Sequence, residues 1–187
     1  MVLRQGVLGG LNLQEVADRA GVNRGLIYHY YGSRGELLRR AFLRHLPAFV
    51  DVVNGAGQLP LPSRVQQWFR GAILHSTPLR LASICLLDGS VDVKVMPRRR
   101  RTQRELTRDV AEGHLDASVD RLAFNALIPA ALYGYVIFRE AFASESGLRV
   151  EELDERVADL LDRVVAGLGP VGTDAPPSPN KRARTKT

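Results

Sequence analysis

Residues 10–38, GLNLQEVADRAGVNRGLIYHYYGSRGELL, hold two short helical patterns separated by a glycine turn and followed at once by a third pattern with its own cap. Leu13, Val16, Ala17 and Ala20 recur at i, i+3, i+4 and i+7, one stripe of a helical period. Asn12 precedes the stripe as an N-cap, and Glu15 is placed to reach back to it as in a capping box. Gly21 follows, where a positive φ stops the helix and turns the chain. Asn23 then caps a second helix from Arg24 to about Tyr30. Val22, Ile27 and Tyr31 are expected to face the first helix, which leaves Arg24, Gly25, Leu26, Tyr28 and His29 outward. So short a helix has no stability of its own in water; its neighbours hold it, and it is free to serve a surface.

Gly32 ends this helix, and Ser33 with Glu36 makes the S-x-x-E head of a third, which continues through Leu37, Leu38, Ala41 and Phe42. Arg34 falls in its first turn, where a cation opposes the helix dipole unless a phosphate sits there. This layout is that of a helix-turn-helix, and it points to duplex DNA.

The segment resembles the DNA-binding domain of the TetR/AcrR family of bacterial transcriptional regulators. The matching elements are Val16-Ala17, Ala20-Gly21-Val22, Asn23, Ile27-Tyr28-His29-Tyr30-Tyr31 and Ser33-Arg34. The resemblance implies that the second helix lies in the major groove, with Arg24, Gly25 and Leu26 at base edges. It assigns Tyr28, Tyr30 and Arg34 to backbone phosphates, His29 to either, and Asn23 to the residues that clamp phosphates ahead of the helix. Leu26 stands where the family often has a small polar residue, so an apolar contact with a thymine methyl is expected in place of a hydrogen bond. Arg34 replaces the common Lys and adds bidentate geometry. Core packing is the alternative role for Tyr30 and the expected role for Tyr31; an ordinary surface position is the alternative for His29. Family members carry a further helix ahead of the motif, whereas only MVLRQ precedes Gly6 here. Residues 2–5 are expected to be the last turn of that helix, and Met1 a truncated or misassigned start.

Basic charge is concentrated at the two ends of the 187 residues. Residues 1–46 carry seven Lys/Arg against three Asp/Glu, residues 47–169 fifteen against sixteen, and residues 170–187 four against one. That is the footprint of phosphate binding, and it predicts salt-dependent affinity. Cys85 is the single cysteine, which excludes an internal disulfide and suits a reducing cytoplasm. It lies in an apolar run and is expected to be a buried structural thiol. No signal peptide and no bilayer-spanning apolar run are read from the chain, so a cytoplasmic protein without a membrane partner is expected.

The rest reads as helix. The third helix should run to about Val53 despite Pro47, NGAGQLPLP should form a loop, and a helix should begin at Ser63 and reach His75. Pro78 should open another helix to Leu87, and Pro97 should take the first position of one ending near Gly113. Residues 120–145 are apolar on nearly every side, and Val150 to Leu168 carry a second apolar stripe. The expected fold class is all-α: a helix-turn-helix DNA-binding domain over 1–46, a helical ligand-binding and dimerisation domain over 47–169, and a disordered basic tail over 170–187.

Arg98 to Arg101 place four cations at a helix start. A solvated face paired with Glu105 and Asp109 is the expected reading, and contact with DNA or an acidic ligand the alternative. The two apolar helices of each subunit could pair with those of a twin, as the resemblance implies, so that a homodimer reads a palindromic operator. The family's usual arrangement is a repressor released by a small-molecule effector. Candidate effector contacts are the large or polar residues on apolar helices: Trp68, Phe69, His75, Asp88, Phe124, Asn125, Tyr133 and Phe138, with core packing as the alternative for each. Pro129 should bend its helix and open space there. No zinc pair, phosphate-cradling loop or nucleophile elbow is present, and a His75–Cys85 pair would lack an orienting third residue. Neither catalysis, a metal nor a cofactor is therefore expected. The alternative function is a regulator-like dimer with impaired DNA binding that acts through protein contacts.

Overall fold

The expected turn and cap residues set the ends of the first three helices. The computed structural model describes residues 12–89 and 93–170. In chain order they form α1 (Leu13–Ala20), α2 (Arg24–Tyr31), α3 (Arg34–Gly55), a 3-10 turn (Ala56–Gln58), α4 (Leu61–Leu74), α5 (Ser76–Leu87), α6 (Arg99–Ala111), α7 (Arg121–Glu145) and α8 (Val150–Ala166). The fold is all-α, and no strand occurs among the described residues. The helical turn expected at residues 2–5 and the tail expected from 171 lie outside them.

Asn12 accepts the Gln14 N–H at 3.0 Å, Asn23 the Gly25 N–H at 2.7 Å, and Ser33 the Glu36 N–H at 3.1 Å. Gly21 has φ 66°, and its N–H and that of Val22 bond back to the Asp18 and Ala17 carbonyls, which closes α1 in a left-handed cap. Neither capping box is completed by its acid. Glu15 pairs forward with Arg19 at 2.8 Å, and Glu36 is taken by Arg39 and Arg40 at 2.7 and 2.9 Å. A guanidinium one turn later offers a stronger, charge-assisted partner than a backbone N–H does.

Four further boundaries differ from the sequence reading. Leu61 and Ser76 begin their helices two residues earlier than expected, because Pro62 and Pro78 sit inside the first turn, where a missing N–H costs nothing. Pro97 lies ahead of α6, since Arg98 still has a non-helical ψ of 12°. Helix α8 stops at Ala166, and the Leu168 carbonyl instead accepts the Asp116 N–H at 2.9 Å. Helix α3 continues through Pro47, which faces solvent.

Buried apolar residues form three clusters along the chain. Leu13, Ala17 and Ile27, with Val16, Tyr31 and Leu37 against them, hold α1 and α2 on the start of α3. Val22, expected on this inner side, is exposed: it belongs to the turn and lies on neither helical stripe. Phe42, Ala82, Cys85 and Val93 join the middle of α3 to α5. The largest cluster, built around Leu61, Val65, Trp68, Phe69, Leu106, Phe124, Ile128, Leu132 and Val136, joins α4, α6, α7 and α8. Helices α3 and α4 approach closely at Gly71, where an added Cβ would stand 2.5 Å from Val52 Cγ1.

Helix α7 corrects one sequence reading. Its 25 residues are long and apolar enough to cross a bilayer, with a mean hydropathy of 1.4. Phe124, Ile128, Leu132 and Val136 are packed into the bundle, so part of that apolarity serves the core. Polar ties fasten the same helix to its neighbours: Asp154 accepts from Tyr135 at 2.9 Å and from Arg139 at 2.7 Å, and Arg80 meets Glu140 at 3.1 Å.

The bundle also encloses a charge. Arg64 of α4 is fully buried, donates to Asp109 of α6, and has Glu105 3.6 Å away. Asp109, expected to pair with the Arg98–Arg101 run, is engaged by Arg64 and Arg108. A buried pair adds little relative to apolar residues, but loss of one partner strands a charge. Asp109→Ala is therefore expected to lower unfolding free energy by about 3–5 kcal/mol, and a double change to Arg64→Met/Asp109→Leu to recover most of the loss, as read from urea midpoints. Asn23→Ala should cost about 1 kcal/mol in the same measurement, and Asn23→Ser should restore it.

Candidate nucleic-acid interface and internal cavity

The cap of Asn23 and the left-handed turn at Gly32 leave α2 with one anchored side and one open side. Ile27 is its buried residue, and Tyr31 packs on the same cluster with the Arg40 guanidinium 5.7 Å from its ring centroid. Tyr31 therefore has the core role expected of it. On the open side Leu26 and Tyr28 are each 43% exposed and Tyr30 66%. Arg24 lies one turn before Tyr28, its guanidinium 5.5 Å from the ring centroid and 3.4 Å from the hydroxyl. His29 meets Tyr30 edge-on at 5.5 Å. Core packing does not describe Tyr28 or Tyr30.

The face thus presents a cation braced by an aromatic ring, two exposed phenol hydroxyls, an apolar tip at Leu26 and the small Gly25. A guanidinium can bond to guanine or phosphate, phenols donate to phosphate, and a leucine tip suits a thymine methyl. Arg34, partly buried, begins α3 beside this face. Glu36, the acid nearest that helix start, is already paired: hydrogen bonds from Arg39 and Arg40 lower its carboxyl pKa to about 2. Asn23 spends its side-chain oxygen on the cap, so its contribution to the face is to set where α2 begins.

Behind α3 the larger cluster leaves an apolar cavity of about 80 Å³. Phe42, Leu46, Phe49, Val50 and Val53 of α3 form one wall, and Trp68, Leu79, Phe124, Ile128, Pro129 and Leu132 much of the rest. Four of the eight sequence candidates line it: Trp68, Phe124, Asn125 and Tyr133. Asn125 is held by its amide, which donates to the Arg99 carbonyl at 3.2 Å and to Gln103 at 3.3 Å. Burial pushes the Tyr133 phenol up to about 12, which keeps it neutral.

The other four lie elsewhere. Phe69 projects from α4 onto Tyr135, ring centroids 5.1 Å apart, in the core beside α8. His75 and Asp88 occupy the C-caps of α4 and α5, and Phe138 is 53% exposed against Phe142 on the outer side of α7. Helical position alone could not separate these faces, because α7 is apolar on nearly all of them. The sequence reading also missed Thr102, Arg98 and Arg99, which form the polar rim of the cavity; the cation run was the available signal.

Cys85 is 2% exposed, and burial, with Asp88 nearby, raises its pKa, so the thiol is the reverse of an activated thiolate. Asp109, Glu112 and His114 bring ligand atoms within 4.8 Å of one another, but Arg64 and Arg108 already occupy the carboxylates.

With this geometry in view, residues 2–41 match the family described as bacterial regulatory proteins, tetR family. No curated protein and no solved structure matches the chain. The matched segment spans α1, α2 and the start of α3, the elements that build the exposed face. Over residues 2–41 the chain is therefore similar to the tetR family of bacterial regulatory proteins, a likeness that supports a DNA-binding transcriptional regulator.

Proposed function

We propose that this protein is a homodimeric, cytoplasmic repressor that leaves a palindromic operator when a small molecule enters the cavity behind α3. The observation that carries the reading is the double membership of α3: Leu37 packs under the DNA-reading helices, and Phe49 and Val53 line the cavity. A ligand that binds better when α3 is displaced lowers operator affinity by its difference in affinity for the two positions.

Arg24, Gly25 and Leu26 read base edges in this proposal, Tyr28, Tyr30 and Arg34 hold phosphates, His29 does either, and Asn23 sets the register of α2. Trp68, Phe124, Asn125 and Tyr133 contact the effector. Dimerisation draws support from the outer sides of α7 and α8, where Leu127 is 67% exposed, Leu160 61% and Val164 55%, near Phe138 and Phe142. Apolar groups gathered on two packed helices mark an interaction surface, and a second copy supplies the second reading helix that a palindrome requires.

The test is binding to DNA flanking the protein's own gene, read by fluorescence anisotropy at two salt concentrations. Tyr28→Ala should weaken all sequences alike, and Arg24→Ala should relax discrimination between operator and random duplex by about 1–3 kcal/mol. Binding should fall steeply with salt. A chain indifferent to every duplex at low salt would remove the reading and favour a regulator acting through protein contacts. Leu127→Glu combined with Leu160→Glu is expected to halve the mass seen in sedimentation and to lower operator affinity; a monomeric wild type refutes the dimer.

A further inference from the structure

The cavity has one polar corner. Arg98 and Arg99 sit at its rim with Thr102, and they also border an open groove on the surface lined by Lys94, Arg100, Arg101 and Arg104. Val50, Met96 and Pro97 belong to both spaces, so the interior and the groove share a wall.

Positive charge is in excess at this corner among the described residues. Of the four successive arginines, Arg101 is the one with an ion pair, to Glu105 at 2.9 Å, and it also donates to Asn54 at 3.3 Å. Arg98, Arg99 and Arg100 have no carboxylate within pairing distance among the described residues. Arg98 is half-buried, and desolvation, with Arg101 beside it, lowers its pKa, an effect that the Glu105 carboxylate only partly offsets. A cation kept partly out of water without a directly paired carboxylate is unfavourable until an anion reaches it. Deeper in, Asn125 has its amide already committed to Arg99 and Gln103, and the remaining wall is largely apolar. A cavity of about 80 Å³ suits a slender chain better than a bulky ring system.

We propose that the cavity takes an amphipathic organic anion, an apolar chain among Phe49, Trp68, Phe124 and Leu132 whose carboxylate or phosphate head is held by Arg98 and Arg99. This deepens the effector reading above and rests on it. The head group neutralises the rim while the tail fills space against α3, so the two ends of the ligand do different work. A neutral chain of equal length fills the space and leaves the rim uncompensated, and a cationic one is repelled.

Trp68 is the single tryptophan of the chain and lies in the cavity wall, so its emission reports occupancy of this site. The full chain, without DNA, is titrated with octanoate, octyl phosphate, octanol and octylamine. Both anions should bind at least about tenfold more tightly than octanol, since charge-assisted hydrogen bonds are roughly twice as strong as neutral ones, and octylamine should bind weakest. The stronger of the two anions identifies the head group. Arg98→Gln/Arg99→Gln should bring octanoate and octanol to within about threefold of each other while octanol affinity stays unchanged.

Octanol binding as tightly as octanoate, or an anion preference that survives the double substitution, overturns the inference and leaves an apolar effector cavity standing. No response of Trp68 to any of the four also overturns it. Octanoate that binds as expected but leaves operator affinity unchanged supports the anion site and counts against effector release. Thermal melts of the substituted protein, expected to match those of the wild type, separate loss of the site from loss of the fold.

Discussion

Helix α3 is the element on which the rest of the arrangement depends. It runs as one helix from Arg34 to Gly55, with a single ladder hydrogen bond missing at Pro47, and its successive turns enter all three apolar clusters: Leu37 under α1 and α2, Phe42 against α5, and Phe49 and Val53 beside the main core. A helix is stiff along its axis because each backbone hydrogen bond shares residues with the next. In the proposed reading, a displacement of the wall at Phe49 is carried along this helix toward Ser33 and α2. The small cluster of Leu13, Ala17 and Ile27 is too thin to orient α2 alone, so the direction of the DNA-reading face follows that of α3.

Charge is divided in this molecule by what each cation can reach. Arg64 is enclosed and bound to Asp109, and Arg101 turns inward to Glu105 and Asn54. Arg24 is braced on Tyr28 at the open face of α2. Arg98 and Arg99 border the cavity without a carboxylate among the described residues. Inward cations with acids tie helices together. Outward or rim cations lacking a paired acid among the described residues are the ones assigned to ligands in the proposals above, phosphates along a duplex and the head of a small anion.

Apolar surface is divided in the same way. The inner side of α7 packs Phe124, Ile128, Leu132 and Val136 into the core, and its outer side carries Leu127, Phe138 and Phe142 toward solvent. The helix is apolar all round, and the proposed dimer would cover the side that the core leaves exposed.

Much of the fold could be read from local signals. Asn12, Asn23, Ser33, Gly21 and Gly32 each act on backbone groups within a few residues of themselves, so they set the ends of the first helices whatever surrounds them. The stripe at Leu13, Val16 and Ala17 and the outward set at Arg24, Leu26 and Tyr28 follow from helical geometry alone. The all-α class and the position of Arg121–Glu145 were legible for the same reason. What the tertiary structure decided is non-local. Trp68 and Phe124 face a cavity while Phe69 and Phe138 do not, Glu36 turns to arginines in place of its cap, and Arg64 finds Asp109 45 residues away. Each of these depends on which helix crosses which and at what angle, and that is an outcome of packing the whole bundle rather than a property of any window of sequence.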